Sequence, residues 1–466
     1  MAHSLLASFF LHNGSFRGRE TGEDLLTETA PSTVSKNPLG ELLPPLTRNE
    51  AAVEAARCLM CYDAPCTQAC PTHIDIPKFI KKIGTHNLRG SARTILESNL
   101  LGATCARVCP VQELCEGACV LGSEQKPIAI GRLQRYAMDF AYGQSAPLFQ
   151  AAKGTGNKVA IIGAGPAGLS CAGELAKRGH TVTLFEKRDL AGGLSTYGII
   201  GLREPVDVAL AEVAMLKKLG MKIEAQKELG ANLNLQDLQA NFSAIFLSVG
   251  LGATNTLGIP GEEFILDGLE YIEQSKMNVD KLVVGRHVLV IGAGNTAIDC
   301  ATIAKRLGAE KVTMVYRRTE NEMTAYPHEY EFIKREGVQF SFLTQPVRVI
   351  TRNNSVESLQ CVRMSLSSPD ASGRPSPQPV GGSEFLLVAD QIVKATGQKK
   401  PSLASLLKLK TDKGFIQVSD DFETSLPGVY AGGDCVRARG AASTVMAVQD
   451  GKLAAQLIHK RLVAHG

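Results

Sequence analysis

The sequence has no run of about 18 consecutive apolar residues, so no membrane-spanning helix is expected. It has little net charge, +4 over 466 residues, which gives no reason to expect nucleic acid or an anionic membrane surface as a partner. The apolar patch in the opening "MAHSLLASFFLHNGS" has no Lys or Arg ahead of it and no evident small-residue cleavage site. A flexible tail is therefore expected there rather than a signal peptide, and with it a cytoplasmic location, where structural disulfides are rare. Cysteine is scarce outside one segment. Of 12 cysteines, Cys171, Cys300, Cys361 and Cys435 stand singly, where small buried side chains or neighbours of a binding loop are expected. At 44% hydrophobic and 21% charged residues, the chain has an ordinary globular composition and the length for two to four domains.

Along the chain the character changes in steps. Residues 1–45 are polar with Pro-rich stretches and read as a tail and linker. From 46 to 150 helical patterns alternate with cysteine loops, opening with Thr47 and Glu50 spaced as a capping box. The remainder reads as α/β. "KVAIIGAGPAGLS" is a buried strand, a Gly-rich turn and a helix start, and the pattern returns at "HVLVIGAGNTAIDC". The spacing, more than 120 residues, is that of a repeated type of unit rather than a solenoid.

In the first unit Gly163, Gly165 and Gly168 complete the turn, with Ala164, Pro166 and Ala167 between them. Glu186 closes the next strand about 20 residues on, where a carboxylate accepts ribose hydroxyls. Bare backbone and a helix N-terminus suit a pyrophosphate. "GVYAGGDC" brings Gly433 and Asp434 to the same cofactor, which reads as FAD. In the second unit the turn is Gly292, Ala293, Gly294, Asn295, Thr296 and Ala297. Its second strand ends in Tyr316, Arg317 and Arg318, with no carboxylate to repel a 2′-phosphate. That favours NADPH over NADH, although NADH stays possible. Ala395, Thr396 and Gly397 mark the return from this unit and are assigned to the same cofactor.

The expected fold class is α/β: two Rossmann-like domains, the NADPH domain (281–397) inserted in a split FAD domain (151–280 and 398–466), preceded by the α-helical domain. No close cysteine pair follows either turn, so a redox disulfide is not expected and electrons need another outlet. The remaining cysteines form two sets: Cys58, Cys61, Cys66, Cys70 and Cys105, Cys109, Cys115, Cys119, with proline after Cys70 and Cys109. The spacing is a relative of the ferredoxin pattern with a longer middle gap. Thiolates suit zinc as well, but zinc has no redox chemistry, and the flavin's need for one-electron outlets favours iron–sulfur clusters. The contrasting possibility is a zinc-stapled nucleotide-binding protein without turnover.

"CLMCYDAPCTQACP", "GATCARVCP", "IAIGRLQRYAMDF", "AIIGAGPAGLS" and "AGGLSTYGI" together resemble the flavoprotein subunits of dihydropyrimidine dehydrogenases and, more loosely, the small subunit of NADPH-dependent glutamate synthase. The resemblance runs from about residue 46 to the C-terminus. It implies two [4Fe–4S] clusters, one held by Cys58, Cys61, Cys66 and Gln134 and the other by Cys70, Cys109, Cys115 and Cys119, with Cys105 a bystander. It further implies flavin contacts at Gly192, Gly193, Leu194, Arg203 and Leu229, and Thr444 is assigned to the same cofactor. An additional cofactor-binding arginine of the animal enzyme is matched here by Thr324. No catalytic side chain is expected, since hydride transfer needs only orientation. The implied partner is a substrate-reducing subunit of (β/α)8 type with FMN and iron–sulfur groups. Such a pair reduces uracil or thymine to the 5,6-dihydropyrimidine; with a glutamate-synthase-type partner the product is glutamate.

Overall fold

A computed structural model describes residues 40–143, 148–369, 373–437 and 442–464. The N-terminal tail assigned to 1–45 lies almost wholly outside the described residues. The helical domain begins at α1 (Arg48–Ala56), where Thr47 and Glu50 form the expected capping box: the Thr47 N–H donates to Glu50 Oε2 at 2.7 Å and the Glu50 N–H to Thr47 Oγ1 at 3.3 Å. It continues through α2 (Pro65–Ala69), α3 (Ile76–Gly84), α4 (Leu88–Ser98), α5 (Gly102–Val108) and α6 (Ile130–Tyr142). In α3, Ile76, Phe79, Ile80 and Ile83 fall on one helical face and are buried, each contributing roughly 1.5–3 kcal/mol of apolar burial. They meet Ile95 and Leu96 of α4 and Leu133 and Met138 of α6 in one core.

The first α/β unit comprises β1 (Lys158–Ile162), α7 (Pro166–Lys177), β2 (Thr181–Phe185), α8 (Leu194–Tyr197), α9 (Val206–Lys217), β3 (Lys222–Glu224), α10 (Leu235–Asn241) and β4 (Ala244–Leu247). The second comprises β5 (Leu266–Asp267), α11 (Gly268–Met277), β6 (His287–Ile291), α12 (Asn295–Arg306), β7 (Lys311–Val315), α13 (Pro327–Arg335) and β8 (Gln339–Ser341). An antiparallel excursion follows, β9 (Thr344–Arg352), β10 (Ser355–Pro369), β11 (Pro375–Pro379) and β12 (Phe385–Val388), before the chain returns through β13 (Gln391–Lys394). After α14 (Leu403–Leu406) and a short ribbon, β14 (Thr411–Asp412) and β15 (Phe415–Ile416), it re-enters the first sheet as β16 (Val429–Ala431) and closes with α15 (Thr444–Ala464).

The two parallel sheets have the orders β16–β4–β1–β2–β3 and β5–β13–β6–β7–β8, so one domain is inserted in the other, as the sequence implies. Residues 159–162 and 288–291 are buried throughout, which is why both runs are continuously apolar rather than alternating. The second sheet takes in β5, and α11 packs with it, so this unit reaches back before residue 281. The sequence gives little signal there because β5 is only two residues long.

The helical domain is continuous with the first unit. Leu100, Leu101 and Cys105 share a core with Val159, Leu184, Leu216 and Phe246. Lys452 of α15 donates to the carbonyls of Thr72 (3.1 Å) and Ser98 (3.0 Å). The four single cysteines are buried, as expected of small apolar side chains, and burial raises each thiol's pKa.

Candidate functional site

The first Gly-rich turn leaves β1 and enters α7 at Pro166. A Cβ on Gly168 would lie 2.0 Å from the Gly163 carbonyl oxygen, so the helix seats against the strand only with glycine there. Ala164 and Ala167 are buried beneath the turn. Glu186, at the end of β2, accepts from the Ala164 N–H at 2.8 Å and the Arg188 N–H at 2.9 Å, which fixes the carboxylate beside the turn. The loop of Gly192 and Gly193 lies across the turn, where a Cβ on Gly193 would stand 2.7 Å from Gly165 Cα, and Leu194 follows, exposed. From the other end of the chain, the Gly433 N–H donates to Asp450 Oδ2 at 2.9 Å, and a Cβ on Gly433 would meet the Ala167 Cβ at 2.9 Å. Burial raises the pKa of Asp434 beside it. Thr444 opens α15, which crosses α7 with the Ser170 hydroxyl donating to the Val448 carbonyl at 2.7 Å.

Arg203 and Leu229, also expected at the flavin, have partners of their own. The Arg203 guanidinium is bound by two carboxylates of the second unit: Nε donates to Asp299 Oδ1 at 3.1 Å and Nη1 to Glu329. Leu229 is buried in the core with Phe185, Leu238 and Leu247.

The second turn repeats the first with different chemistry. Gly292 has φ +136°, and a Cβ there would lie 2.3 Å from the Ala395 carbonyl oxygen. The Ala395 N–H in turn donates to the Ile291 carbonyl at 2.8 Å. Asn295 Oδ1 accepts from the Tyr326 N–H at 3.2 Å. Thr324 sits over the turn, its N–H donating to the Ala293 carbonyl at 3.2 Å and its hydroxyl 3.1 Å from where a Gly294 Cβ would stand. Thr296 is half-buried on the first turn of α12 and Ala297 is buried. Asn255 holds the return segment, its Nδ2 donating to the Thr396 carbonyl at 3.3 Å and its N–H to the Gly397 carbonyl at 2.8 Å. The arginine pair divides: Arg317 is exposed, whereas Arg318 is 3% exposed and donates through Nε to the Pro375 carbonyl at 2.9 Å. Sequence reading missed Asp450, Asn255, Asp299 and Glu329, all polar residues whose only signal is the tertiary contact.

The cysteines fall into two neighbourhoods. Cys58, Cys61, Cys66 and Cys119 line one cavity with Ile76, Ile80 and Ile130. Burial raises the thiols of Cys58 and of Cys66, the latter to about 11, with Cys119 adding to both. At the second, Cys70 and Cys115 help to raise the thiol of Cys109, and Cys70 helps to raise that of Cys115. The Cys109 thiol is raised first by its hydrogen bond with Cys105, then by burial. The structure thus puts Cys119 where the expected grouping has Gln134. The 3₁₀ turn Val120–Ser123 carries the chain back over α2 and α3, so Val120 and Leu121 line the same cavity. Gln134 is buried on α6, its Nε2 donating to the Gly102 carbonyl at 2.7 Å. Among the described residues no three His, Cys, Asp or Glu side chains converge as a single metal ion requires.

A cysteine-bearing helical domain joined to two nested parallel sheets, each with a Gly-rich turn, defines the class of two-dinucleotide flavoproteins with an iron–sulfur-type domain. Residues 35–146 match the family described as dihydropyrimidine dehydrogenase domain II, 4Fe-4S cluster, and residues 157–451 match pyridine nucleotide-disulphide oxidoreductase. The chain is 36% identical over 427 residues to the NAD-dependent dihydropyrimidine dehydrogenase subunit PreT of Escherichia coli, covering 92% of this chain and 98% of that one. It is 33% identical over 446 residues to the Escherichia coli glutamate synthase [NADPH] small chain, covering 91% and 94%. It is 36% identical to the NADP(+)-dependent formate dehydrogenase subunit beta of Moorella thermoacetica, of whose length it spans 60%. In fold it is similar to Mycobacterium tuberculosis FprA in complex with NADPH, with a TM-score of 0.55 at 18% identity, covering 66% of this chain and 85% of that one. The chain belongs to the family of NAD(P)H-dependent flavin and iron–sulfur oxidoreductases related to dihydropyrimidine dehydrogenase and glutamate synthase. Among the described residues no helix is long and apolar enough to cross a membrane.

Proposed function

We propose that this chain is the NADPH-oxidising subunit of a larger assembly, delivering electrons through FAD and two [4Fe–4S] clusters to a partner that reduces uracil or thymine to the 5,6-dihydropyrimidine. The observation that carries this reading is the cysteine-lined cavity in a helical domain continuous with a flavin-type unit, together with near end-to-end similarity to a dihydropyrimidine dehydrogenase subunit. Similar coverage of the glutamate synthase small chain supports a second reading, delivery to a glutamate-forming partner.

The residues fit the groups. When bound, FAD accepts a hydride from NADPH and the clusters accept its electrons one at a time. The backbone from Gly163 to Gly168 and the N-terminus of α7 bind the FAD pyrophosphate, and Glu186 accepts the ribose hydroxyls. Gly192, Gly193, Gly433 and Asp434 enclose the remainder of that site, with Thr444 at its edge. Gly292 to Ala297 bind the nicotinamide cofactor's pyrophosphate, and Arg317 pairs with its 2′-phosphate. Arg203 sets the orientation of the two units through Asp299 and Glu329. Cys58, Cys61, Cys66 and Cys119 hold the first cluster. Cys70, Cys109 and Cys115 hold the second, with Gln134 as the fourth ligand. The domains are the cluster domain to 150 and the split flavin domain interrupted by the NADPH unit, whose start moves back to β5.

Anaerobic purification from the native cell tests the reading. Iron, labile sulfide and FAD are expected, with a co-purifying flavin-containing barrel chain and uracil-dependent NADPH oxidation. A zinc-containing, iron-free protein overturns the cluster assignment, and an amidotransferase-type partner moves the function to glutamate synthesis. Cys119→Ser is expected to abolish one cluster signal and Gln134→Ala to perturb the other. Loss of the same signal in both variants restores the grouping that pairs Gln134 with Cys58.

A further inference from the structure

Where the cysteine domain meets the flavin-type unit, two glutamates share one hydroxyl. Glu204 follows α8 and Glu212 lies on α9, and they are 0% and 1% exposed. The Thr104 hydroxyl of α5 stands within hydrogen-bond distance of Glu204 Oε1 and of Glu212 Oε2. Glu212 Oε1 also accepts from the Ala103 N–H and the Tyr142 hydroxyl, both at 2.8 Å. The other oxygen of Glu204 is buried without a partner among the described residues.

A hydroxyl has one hydrogen to donate. If Thr104 donates to one carboxylate, its lone pairs face the other, and that contact is attractive only when the second carboxyl carries a proton. Two ionised carboxylates would set lone pair against lone pair in a dry site. Two cations oppose the effect of burial at Glu204. Lys276 of α11 faces Glu204 but donates to the Ser195 carbonyl at 2.5 Å. Arg107 of α5 also faces Glu204, and it pairs with Asp139 at 2.8 Å and Glu41 at 3.5 Å. Asp139 and Arg107 bear on Tyr142, while Asp207 and Asp299 bear on Lys276. Burial raises both glutamates, Glu204 to about 8.

We propose that Glu204, Thr104 and Glu212 form a proton site linked to electron passage: the pair holds one proton at neutral pH and takes up a second when the neighbouring redox centre is reduced. The placement supports the linkage. Thr104 lies five residues before Cys109, which caps the same helix, or about 7.5 Å along the axis. On the other side, the Lys276 that faces Glu204 is bonded to Ser195, two residues past Gly193 at the first turn. One electron originating from NADPH adds one negative charge at the Cys109-bearing centre. One proton from water then neutralises the ionised carboxylate, so charge is conserved. The linkage rests on the reading that Cys109 holds a redox group; the shared proton does not.

Two measurements on the full-length holoprotein decide it. Infrared spectra of the oxidised protein at neutral pH are expected to show a buried protonated-carboxyl stretch that the Glu204→Gln/Glu212→Gln double variant lacks. Absence of that stretch in the unaltered protein overturns the shared proton, whether or not iron is bound. In a potentiometric titration followed by electron paramagnetic resonance, one cluster potential is expected to fall with rising pH. The fall reaches at most about 59 mV for each tenfold drop in proton activity. Glu212→Gln and Thr104→Val should flatten that dependence with iron content unchanged. A pH-independent potential in the unaltered protein overturns the linkage even if the variants fail to fold. An iron-free preparation defeats the linkage together with the cofactor reading, and the infrared band alone then decides the proton pair.

Discussion

The two dinucleotide units share a backbone plan and diverge where side chains meet the ligand. In both, the strand ahead of the turn is central and the neighbouring strand's end supports the first glycine: the Gly163 N–H donates to the Phe185 carbonyl at 2.8 Å and the Gly292 N–H to the Val315 carbonyl at 3.0 Å. The third position differs. Gly168 has no room for a Cβ, whereas Ala297 carries one that is fully buried. The strand ends differ more. Glu186 is held against its turn by two N–H groups, while the second strand ends in an exposed Arg317 and a buried Arg318. A fixed carboxylate thus stands at one strand end and a guanidinium open to solvent at the other. On the reading proposed above, the shared plan serves the pyrophosphate and the strand end selects the dinucleotide.

The comparison breaks most sharply at the third position. Gly168→Ala forces a methyl against the Gly163 carbonyl and should cost about 1–3 kcal/mol or more. FAD content per chain and the melting temperature are both expected to drop, whereas Ala297→Gly should leave flavin content unchanged. Comparable in size is Arg203→Ala, which leaves Asp299 and Glu329 buried without the guanidinium that pairs with both. Breaking a buried pair costs about 3–5 kcal/mol when nothing relaxes; partial exposure of Arg203, at 19%, places the expected loss at the low end. Stopped-flow flavin reduction by NADPH should slow while FAD stays bound; unchanged reduction kinetics would refute its role in orienting the units.

Glu186→Ala removes the acceptor for the Ala164 N–H, a loss of about 1–3 kcal/mol, or roughly ten- to a hundredfold in FAD affinity. Retention of FAD through dialysis checks it. The smallest effect expected is at the arginines. Arg317→Ala should lower the preference for NADPH over NADH roughly tenfold in kcat/KM without altering stability. Arg318→Ala should do the converse, lowering the melting temperature through its lost contact with Pro375. Equal specificity losses in both variants would show that the buried guanidinium also reaches the phosphate.

These outcomes separate what was legible from what was not. The nested domain order was legible because buried parallel strands are continuously apolar and Gly-rich turns follow them. The capping box at Thr47 was legible because its residues are local. The start of the second unit was not, because two-residue β5 is defined only by its pairing with β13. The unequal fates of Arg317 and Arg318 were hidden for a similar reason, since Pro375 belongs to a strand that arrives 57 residues later.

By itself the sequence determined the chemistry available: eight thiols in one segment, two turns bare of side chains, a carboxylate at one strand end and guanidinium groups at the other. Tertiary structure alone decided which thiols share a cavity, that Arg203 answers to Asp299 and Glu329, and that Glu204 and Glu212 meet over Thr104. Spacing specifies partners only within a few residues, where the backbone is short and its geometry fixed. Between distant segments the partners are chosen by which apolar faces bury together, and polar groups carried along must find their bonds where that packing leaves them.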